Sequence, residues 1–286
     1  MFLRTDTTLP PFYVLVYVDD LVFATADTEA LGHVKSELQK RHTCTGLGEL
    51  TSYLGLRITR DRAQRTLTLT QSHMVQQVLQ RFGFTYSSPQ STPLPTGHSL
   101  SAPPSDYTSG MGLVLGGRAR VVLTGHADAS WVDDLAMQRS SQGYTFSLGS
   151  GSVSWQSTRS SSVLSSSCEA EIYAGAMAAE ELRWLTYLLT DLGEAPRSPP
   201  VLYQRGHHRL AYVAFEANTA DVFTKALQHC DHQRLCTVLG LLALPFLTGL
   251  AVAAGSAAWV VSAPSAAVPA AAAAATAVPA AAAVCV

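Results

Sequence analysis

The chain has 286 residues, a net charge of −2 and only 14% charged residues. A length of this order is typical of about two domains, and the near-neutral charge gives no support to a strongly basic nucleic-acid binder. Its five cysteines include no CxxC pair, which argues against a disulfide framework or a zinc site and favours a reducing compartment. The first residues, MFLRTDTTLP, lack the apolar core of a signal peptide, so we expect an intracellular protein.

Residues 12–26 predict a β-hairpin with two adjacent carboxylates at its tip. Apolar, β-branched and aromatic residues run up to Val18 and resume at Leu21, with Asp19 and Asp20 between them. An ordinary turn is one interpretation, because an Asp side chain readily bonds to nearby backbone. The other is a site for Mg²⁺, which binds one or two carboxylates together with substrate phosphates.

A helix, a second hairpin and a second helix are predicted next. Asp27 or Thr28 can cap the first helix. The second helix, over roughly residues 72–82, should turn one apolar face inward: Val75, Val78 and Leu79. Four arginines surround the second hairpin and could contact phosphates or lie on an ordinary solvated turn: Arg57, Arg60, Arg62 and Arg65.

Pro, Ser and Gly dominate residues 87–110, which predicts a linker between two domains. Beyond it, a meander of about three strands precedes a long helix over residues 167–192. Two short strands and a short helix that begins at Asp221 complete the pattern. The order βββ-α-β-β-α predicts an α+β domain over residues 111–236.

Residues 237–286 contain no Asp, Glu, Lys or Arg and end in a run of Ala, Val and Pro. This composition predicts a low-complexity tail that is disordered or helical. Its first part, residues 237–261, is long enough to span a bilayer, which takes about 20 residues, although Pro245 interrupts it. A membrane anchor is therefore an alternative for this segment.

The hairpin sequence VLVYVDDLVFA resembles the palm motif of reverse transcriptases. The segments SYLGLRITRD and LTQSHMVQQVLQRFGF, followed by STPL, are similar to segments of Ty1/copia-type retrotransposon polyproteins and occur in the same order. The resemblance implies that residues 11–86 are a fragment of a reverse transcriptase palm. It also implies that Asp19 and Asp20 are catalytic Mg²⁺ ligands in a two-metal mechanism. The family's third aspartate lies on an earlier strand, and we expect no suitable residue for it in this chain.

Three later segments resemble the RNase H domain of the same polyproteins: TGHADASWVDD, SSSCEAEIYAGAMAAEELRWL and NTADVFTKAL. The resemblance implies catalytic, metal-binding carboxylates at Asp128, Glu171 and Asp221, with Mg²⁺ as the cofactor. The family carries a fourth aspartate directly after the strand that corresponds to PPVLY. In this chain Gln204 follows Tyr203 there.

The resemblance implies that two stretches of the family are absent from this chain, one after Asp106 and one after Tyr203. It therefore implies that residues 111–236 are an incomplete RNase H-like domain with a mixed sheet and helices. Losing a ligand leaves the other carboxylates to repel each other, so we expect neither active site to work. The resulting hypothesis is a polyprotein fragment derived from RNA-directed DNA polymerase and RNase H. The alternatives are a residual binding module for RNA–DNA hybrid or template–primer, and a membrane-anchored product.

Overall fold

The computed structural model describes residues 2–4, 6, 8–85, 92, 111–117, 122–196, 200–203, 213–243 and 259–262. The chain divides into two compact units, the first made of residues 1–58 and 246–278 and the second of residues 59–245 and 279–286. The predicted linker, residues 87–110, lies outside the described residues apart from Thr92. The domain borders of the sequence analysis therefore stay predictions.

The elements of the described residues follow the chain in a mixed order of strands and helices. The first half contains β1 (Phe2–Leu3), β2 (Phe12–Tyr17), β3 (Asp20–Thr25), α1 (Thr28–Arg41), β4 (Thr45–Glu49), β5 (Ser52–Tyr53), β6 (Leu56–Asp61), β7 (Thr66–Thr70) and α2 (Ser72–Arg81). The second half contains β8 (Met111–Gly116), β9 (Leu123–Asp134), β10 (Arg139–Leu148), β11 (Gly151–Arg159), α3 (Ser167–Asp191), β12 (Val201–Tyr203), a 3₁₀ turn (Phe215–Ala217), α4 (Asp221–Thr224), α5 (His229–Val238), β13 (Leu241–Ala243) and β14 (Trp259–Ser262).

The first unit is built around the predicted hairpin. Strands β2 and β3 pair antiparallel, with Tyr17 opposite Asp20 at the turn, which confirms the prediction. Phe12 and Phe23 lie buried on one face, their rings edge-on and 6.2 Å apart, and pack with Leu31 of α1. Burial of such side chains is worth about 2 kcal/mol each, so this contact fixes α1 against the hairpin.

The predicted cap of α1 is confirmed at Asp27, whose Oδ1 accepts a hydrogen bond of 2.9 Å from the backbone N–H of Ala30. The same carboxylate pairs with Arg4 at 3.0 Å. The Ala30 N–H and the Arg4 guanidinium both favour the charged form, so the pKa of Asp27 lies below its usual value. The Asp27 side chain thus accepts a hydrogen bond from a backbone N–H at the start of the helix, as the sequence predicted.

Parts of the C-terminal tail are strands. In the first unit, β14 lies between β3 and β4 and pairs antiparallel with both. In the second unit, β13 pairs with β8. These residues differ from the predicted disordered or helical tail, because the sheet edges they meet offer backbone hydrogen bonds that local composition does not reveal. The rest of the tail lies outside the described residues.

No helix in the described part of the chain is long and apolar enough to cross a bilayer. Residues 244–258, which make up most of the hydrophobic segment behind the membrane-anchor alternative, lie outside that part.

One expectation about the middle of the chain is wrong, and one strand pairs outside the predicted meander. Helix α2, which the structure describes in full, has no buried residue, and the Val78 side chain is 44% exposed instead of facing inward. Strand β8 does not join the meander that follows it in sequence; it pairs with β7 on one side and β13 on the other. Helical spacing predicts an apolar face but not what covers it, and strand partners are set by the whole chain.

The second unit holds the predicted meander as a sheet in the order β11-β10-β9-β12. Strands β9, β10 and β11 run antiparallel, and β12 joins parallel to β9. Helix α3 covers one face of this sheet through a buried apolar cluster: Leu123, Ala127, Tyr144, Phe146, Ala178, Leu185, Leu189 and Leu202. The opposite face of β9 and β10 is therefore available for packing by the short elements that follow β12.

Candidate functional site

The hairpin tip carries the first predicted site. Val18 and Asp19 form the two-residue turn between the paired residues Tyr17 and Asp20. Val18 has a φ of 53°, a conformation that a β-branched residue adopts only under strain. Asp19 is exposed and Asp20 half-buried, so the two carboxylates stand at the exposed end of the hairpin, as predicted. Their role as metal ligands stays a prediction.

Tyr53 is a neighbour of this tip that the sequence analysis missed. Its side chain is buried, and within the described residues its hydroxyl has no hydrogen-bond partner. Burial raises the pKa of Tyr53, and the charges of Asp20 and Tyr17 raise it further. Only tertiary structure brings Tyr53 within electrostatic range of the tip, because the two are more than thirty residues apart.

Asp128 lies in the interior of β9 and faces away from α3. Its neighbours Ala127 and Ala129 both pack with α3 residues, so alternation along the strand turns Asp128 to the other face. The strand continues to Asp134, so Asp128 lies within it and not at its end. Opposite Asp128 on β10 stands Gly143, where a Cβ would come within 2.9 Å of the Phe223 Cβ. Glycine at this position lets α4 approach the sheet closely.

Asp128 is completely buried and its carboxylate is held by three side chains. The Lys225 ammonium lies 2.8 Å from Oδ1, and the Thr224 hydroxyl donates to Oδ2. The amide of Asn218 donates to the carbonyl of Ala127 at 3.3 Å and makes a weak contact of 3.5 Å to Asp128 Oδ1. A buried carboxylate needs such partners, because burying an unpaired charge lowers the free energy of unfolding by roughly several kcal/mol.

Asp221 completes this arrangement. It is the first residue of α4 and is only 1% exposed. The same Lys225 ammonium lies 2.9 Å from Asp221 Oδ1 and therefore bridges the two carboxylates. Burial raises the pKa of Asp221 to about 6, with the negative charge of Asp128 as the next cause and Lys225 acting in the opposite direction. We call these three residues the Asp–Lys–Asp bridge.

Glu171 lies on α3, half-buried, with its Oε2 atom inside the protein. The nearby helix start is capped by Ser166, whose hydroxyl accepts from the Glu169 N–H at 3.2 Å, while Glu169 accepts from the Ser165 N–H at 2.6 Å. Glu169 thus has a capping role that is separate from the role predicted for Glu171.

The side chains do not fit the predicted metal site as they stand. In the part of the chain that the structure describes, no three His, Cys, Asp or Glu side chains are grouped to hold a metal ion. Asp128 and Asp221 are oxygen ligands of the kind that Mg²⁺ prefers, but a lysine ammonium already stands between them. The roles predicted for Asp128, Glu171 and Asp221 stay predictions.

Lys225, Thr224 and Asn218 escaped the sequence analysis although the segment NTADVFTKAL contains all three. The spacing of Asp221 and Lys225, four residues apart, is the one that brings opposite charges together on a helix. That local signal could have identified one half of the bridge. The other half, to Asp128, spans almost a hundred residues and has no local signal.

The four arginines of the second hairpin are divided by the border between the units, which falls after Ile58. Arg57 lies in the first unit, while Arg60, Arg62 and Arg65 lie in the second, around the turn from β6 to β7. Arg65 is exposed, and its backbone carbonyl accepts a hydrogen bond of 2.8 Å from Gly117. This turn therefore presents its arginines from a fixed backbone.

Comparison with known proteins shows that the chain is similar to proteins of transposons. Residues 1–96 match the family described as reverse transcriptase (RNA-dependent DNA polymerase). The chain is 27% identical over 242 residues to the retrovirus-related Pol polyprotein from transposon TNT 1-94 of Nicotiana tabacum. This alignment covers 63% of this chain and 18% of the relative. It is 24% identical over 321 residues to the retrovirus-related Pol polyprotein from transposon RE2 of Arabidopsis thaliana, covering 82% of this chain and 22% of the relative.

A third relative, the secreted RxLR effector protein 161 of Plasmopara viticola, is 40% identical over 82 residues, or 29% of this chain and 56% of the relative. No solved structure matches the chain. The chain spans about a fifth of the length of the two Pol polyproteins above, 18% and 22%. These matches confirm the predicted resemblance: the chain is similar to a part of retrovirus-related Pol polyproteins from transposons, with its reverse transcriptase match in residues 1–96.

Proposed function

We propose that the chain is a polyprotein fragment derived from RNA-directed DNA polymerase and RNase H, and that its RNase H-like site does not cleave nucleic acid. One observation carries the second part. The Lys225 ammonium lies 2.8 Å from Asp128 and 2.9 Å from Asp221, two of the three carboxylates implied as metal ligands.

The position of this lysine matters because of the chemistry of RNase H-type cleavage. Two divalent ions, held by carboxylates, stabilise the attacking and leaving oxygens of the scissile phosphate. An ammonium neutralises carboxylates and can donate a hydrogen bond to a phosphate oxygen, but it is not a Lewis acid. It cannot coordinate a water molecule and lower its pKa to make a nucleophile, as a divalent ion does. The sequence adds a second reason, since Gln204 stands where the family's fourth aspartate would follow the strand.

The reverse transcriptase match supports binding of nucleic acid as the ancestral role of the first residues. Asp19 and Asp20 stand at the outer end of the hairpin, where carboxylates could hold Mg²⁺ together with substrate phosphates. We propose template–primer or RNA–DNA hybrid as the partner class. The family resemblance supports a divalent metal as the ancestral cofactor.

We predict that the purified chain will not cleave an RNA–DNA hybrid in Mg²⁺ above the rate seen in buffer. The Lys225 ammonium lies between two of the carboxylates that would have to hold the metal for this reaction. The measurement is gel analysis of a labelled hybrid, with Asp128→Asn as the matched variant expected to give the same background. Cleavage that requires Mg²⁺ and disappears in Asp128→Asn would contradict the proposal.

A second candidate function is residual binding of hybrid duplex through the arginine turn. The turn is fixed by the hydrogen bond from Gly117, and Arg65 is exposed on it, which favours contact with a rigid duplex backbone. Binding of this kind weakens as salt rises, because each arginine that contacts a phosphate releases counterions.

We expect Arg60→Ala combined with Arg65→Ala to weaken hybrid binding and to reduce the salt slope by about 2. Fluorescence anisotropy over a salt series measures both quantities. Arg81→Ala, an exposed arginine on α2, is the control and should leave the slope unchanged. Absence of binding at low salt, or equal slopes in all variants, would rule out this role for the turn.

A further inference from the structure

We propose that Lys225 is a built-in cation that replaces a divalent metal between Asp128 and Asp221, so that the folded chain keeps this carboxylate pair together without metal and excludes metal from it. The inference rests on the proposed RNase H ancestry, because it regards the two carboxylates as former metal ligands. The bridge itself is a property of the fold, whatever the ancestry.

The contacts are those of a strong ionic bridge. The two distances from the Lys225 ammonium, 2.8 Å and 2.9 Å, lie in the range of charge-assisted hydrogen bonds between an ammonium and a carboxylate. Asp128 and Asp221 are 0% and 1% exposed, so water screens the repulsion between their charges only weakly. Without a shared cation, two buried carboxylates this close would repel each other. Lys225 therefore performs the electrostatic task that a metal performs in a two-carboxylate site.

The surroundings of Asp128 are adapted to the lysine. Its second oxygen already accepts a hydrogen bond from the Thr224 hydroxyl, and Asn218 approaches the first oxygen. Mg²⁺ requires near-octahedral coordination at about 2.0–2.1 Å and usually keeps several waters. Asp128 would have to exchange these hydrogen bonds for metal and hydration water. Close packing makes that exchange costly, since a Cβ at Gly143 would lie 3.0 Å from Thr224 and 2.9 Å from Phe223.

Tethering gives Lys225 an advantage over free ions. It follows the α4 helix directly and lies four residues after Asp221, so its ammonium is held beside one carboxylate by the chain itself. A tethered group competes at a high effective concentration that a dissolved ion must exceed. Its side chain is 21% exposed, so the lysine is not fully enclosed in the core and can be replaced without opening all of it.

The test measures metal binding by the full chain, with Mn²⁺ alone as the probe and electron paramagnetic resonance as the readout. All variants carry Asp19→Asn and Asp20→Asn, so that the hairpin tip cannot bind the ion. We expect no bound Mn²⁺ in this background. Adding Lys225→Met should create one bound Mn²⁺ that is lost again with Asp128→Asn.

Thermal unfolding provides the second readout. The background protein should keep the same melting temperature with Mn²⁺ or with chelator. Lys225→Met should melt lower than the background in chelator and recover part of the difference in Mn²⁺. Lys40→Met is the matched control, since Lys40 forms a surface pair with Glu37 at 2.7 Å and should change neither readout.

The proposal is overturned if the background protein binds Mn²⁺ in a way that Asp128→Asn abolishes, or if Lys225→Met folds and binds none. If Lys225→Met does not fold, Lys225→Gln, which keeps the length and polarity without the charge, takes its place with the same two outcomes. Failure of the proposed function is a separate outcome, because it would appear as Mg²⁺-dependent cleavage of hybrid by the unmodified chain, whereas this test measures Mn²⁺ binding.

Discussion

Replacing Phe146 with alanine should lower the free energy of unfolding by about 4 kcal/mol. Phe146 is completely buried at the centre of the cluster that joins β9, β10 and β12 to α3, and its ring lies 5.7 Å from that of Tyr144. Truncation removes the apolar contacts and leaves a cavity that the surrounding strands cannot fill. Urea-induced unfolding of the full chain measures the change. Phe82→Ala, at a side chain that is 65% exposed, is the control and should shift stability by less than about 0.5 kcal/mol.

Gly125 gives this prediction a more specific arm. It lies opposite Phe146 on the neighbouring strand, and a Cβ at Gly125 would overlap the Phe146 ring. Gly125→Ala alone should therefore destabilise the protein by about 1–3 kcal/mol or more through overpacking. On a Phe146→Leu background the same change should cost clearly less, because the ring is gone. Equal costs on both backgrounds would mean that the ring and the glycine do not pack as described.

Replacing Asp128 with alanine should lower the free energy of unfolding by about 3 kcal/mol. The change leaves the buried Thr224 hydroxyl with only the Ala220 carbonyl, 3.5 Å away, as an acceptor. It also leaves Lys225 with only one of its two carboxylates. Removing the charge also relieves the repulsion that helps to raise the pKa of Asp221, and this relief offsets part of the loss. The net effect is expected to stay destabilising because leaving buried polar groups unpaired costs about 1–3 kcal/mol each.

Equilibrium unfolding with and without Mg²⁺ tests this expectation. The loss should be the same in both conditions, since the carboxylate is held by Lys225 and not by a metal. Asp19→Ala is the control, because Asp19 is exposed at a turn and should change stability by less than about 0.5 kcal/mol. A neutral effect of Asp128→Ala would show that repulsion between the carboxylates outweighs their attraction to Lys225.

Local patterns in the sequence were enough for the elements whose contacts are local. The hairpin with Asp19 and Asp20 at its tip, the Asp27 cap and the β9–β10–β11 meander were all predicted, because each depends on the alternation, capping and turn chemistry of neighbouring residues. The same short segments supported the resemblance to Ty1/copia-type polyproteins, which the comparisons confirm.

Tertiary structure decided everything that joins distant parts of the chain. It placed β8 beside β7, inserted β14 between β3 and β4, and left Val78 of α2 exposed. Above all, it brought Lys225 to Asp128, a contact across almost a hundred residues. The sequence by itself determined which carboxylates to examine. Only the packing of α4 against β9 determined that Lys225 meets two of them. Side-chain neighbours across a sheet depend on strand order and helix placement rather than on local spacing.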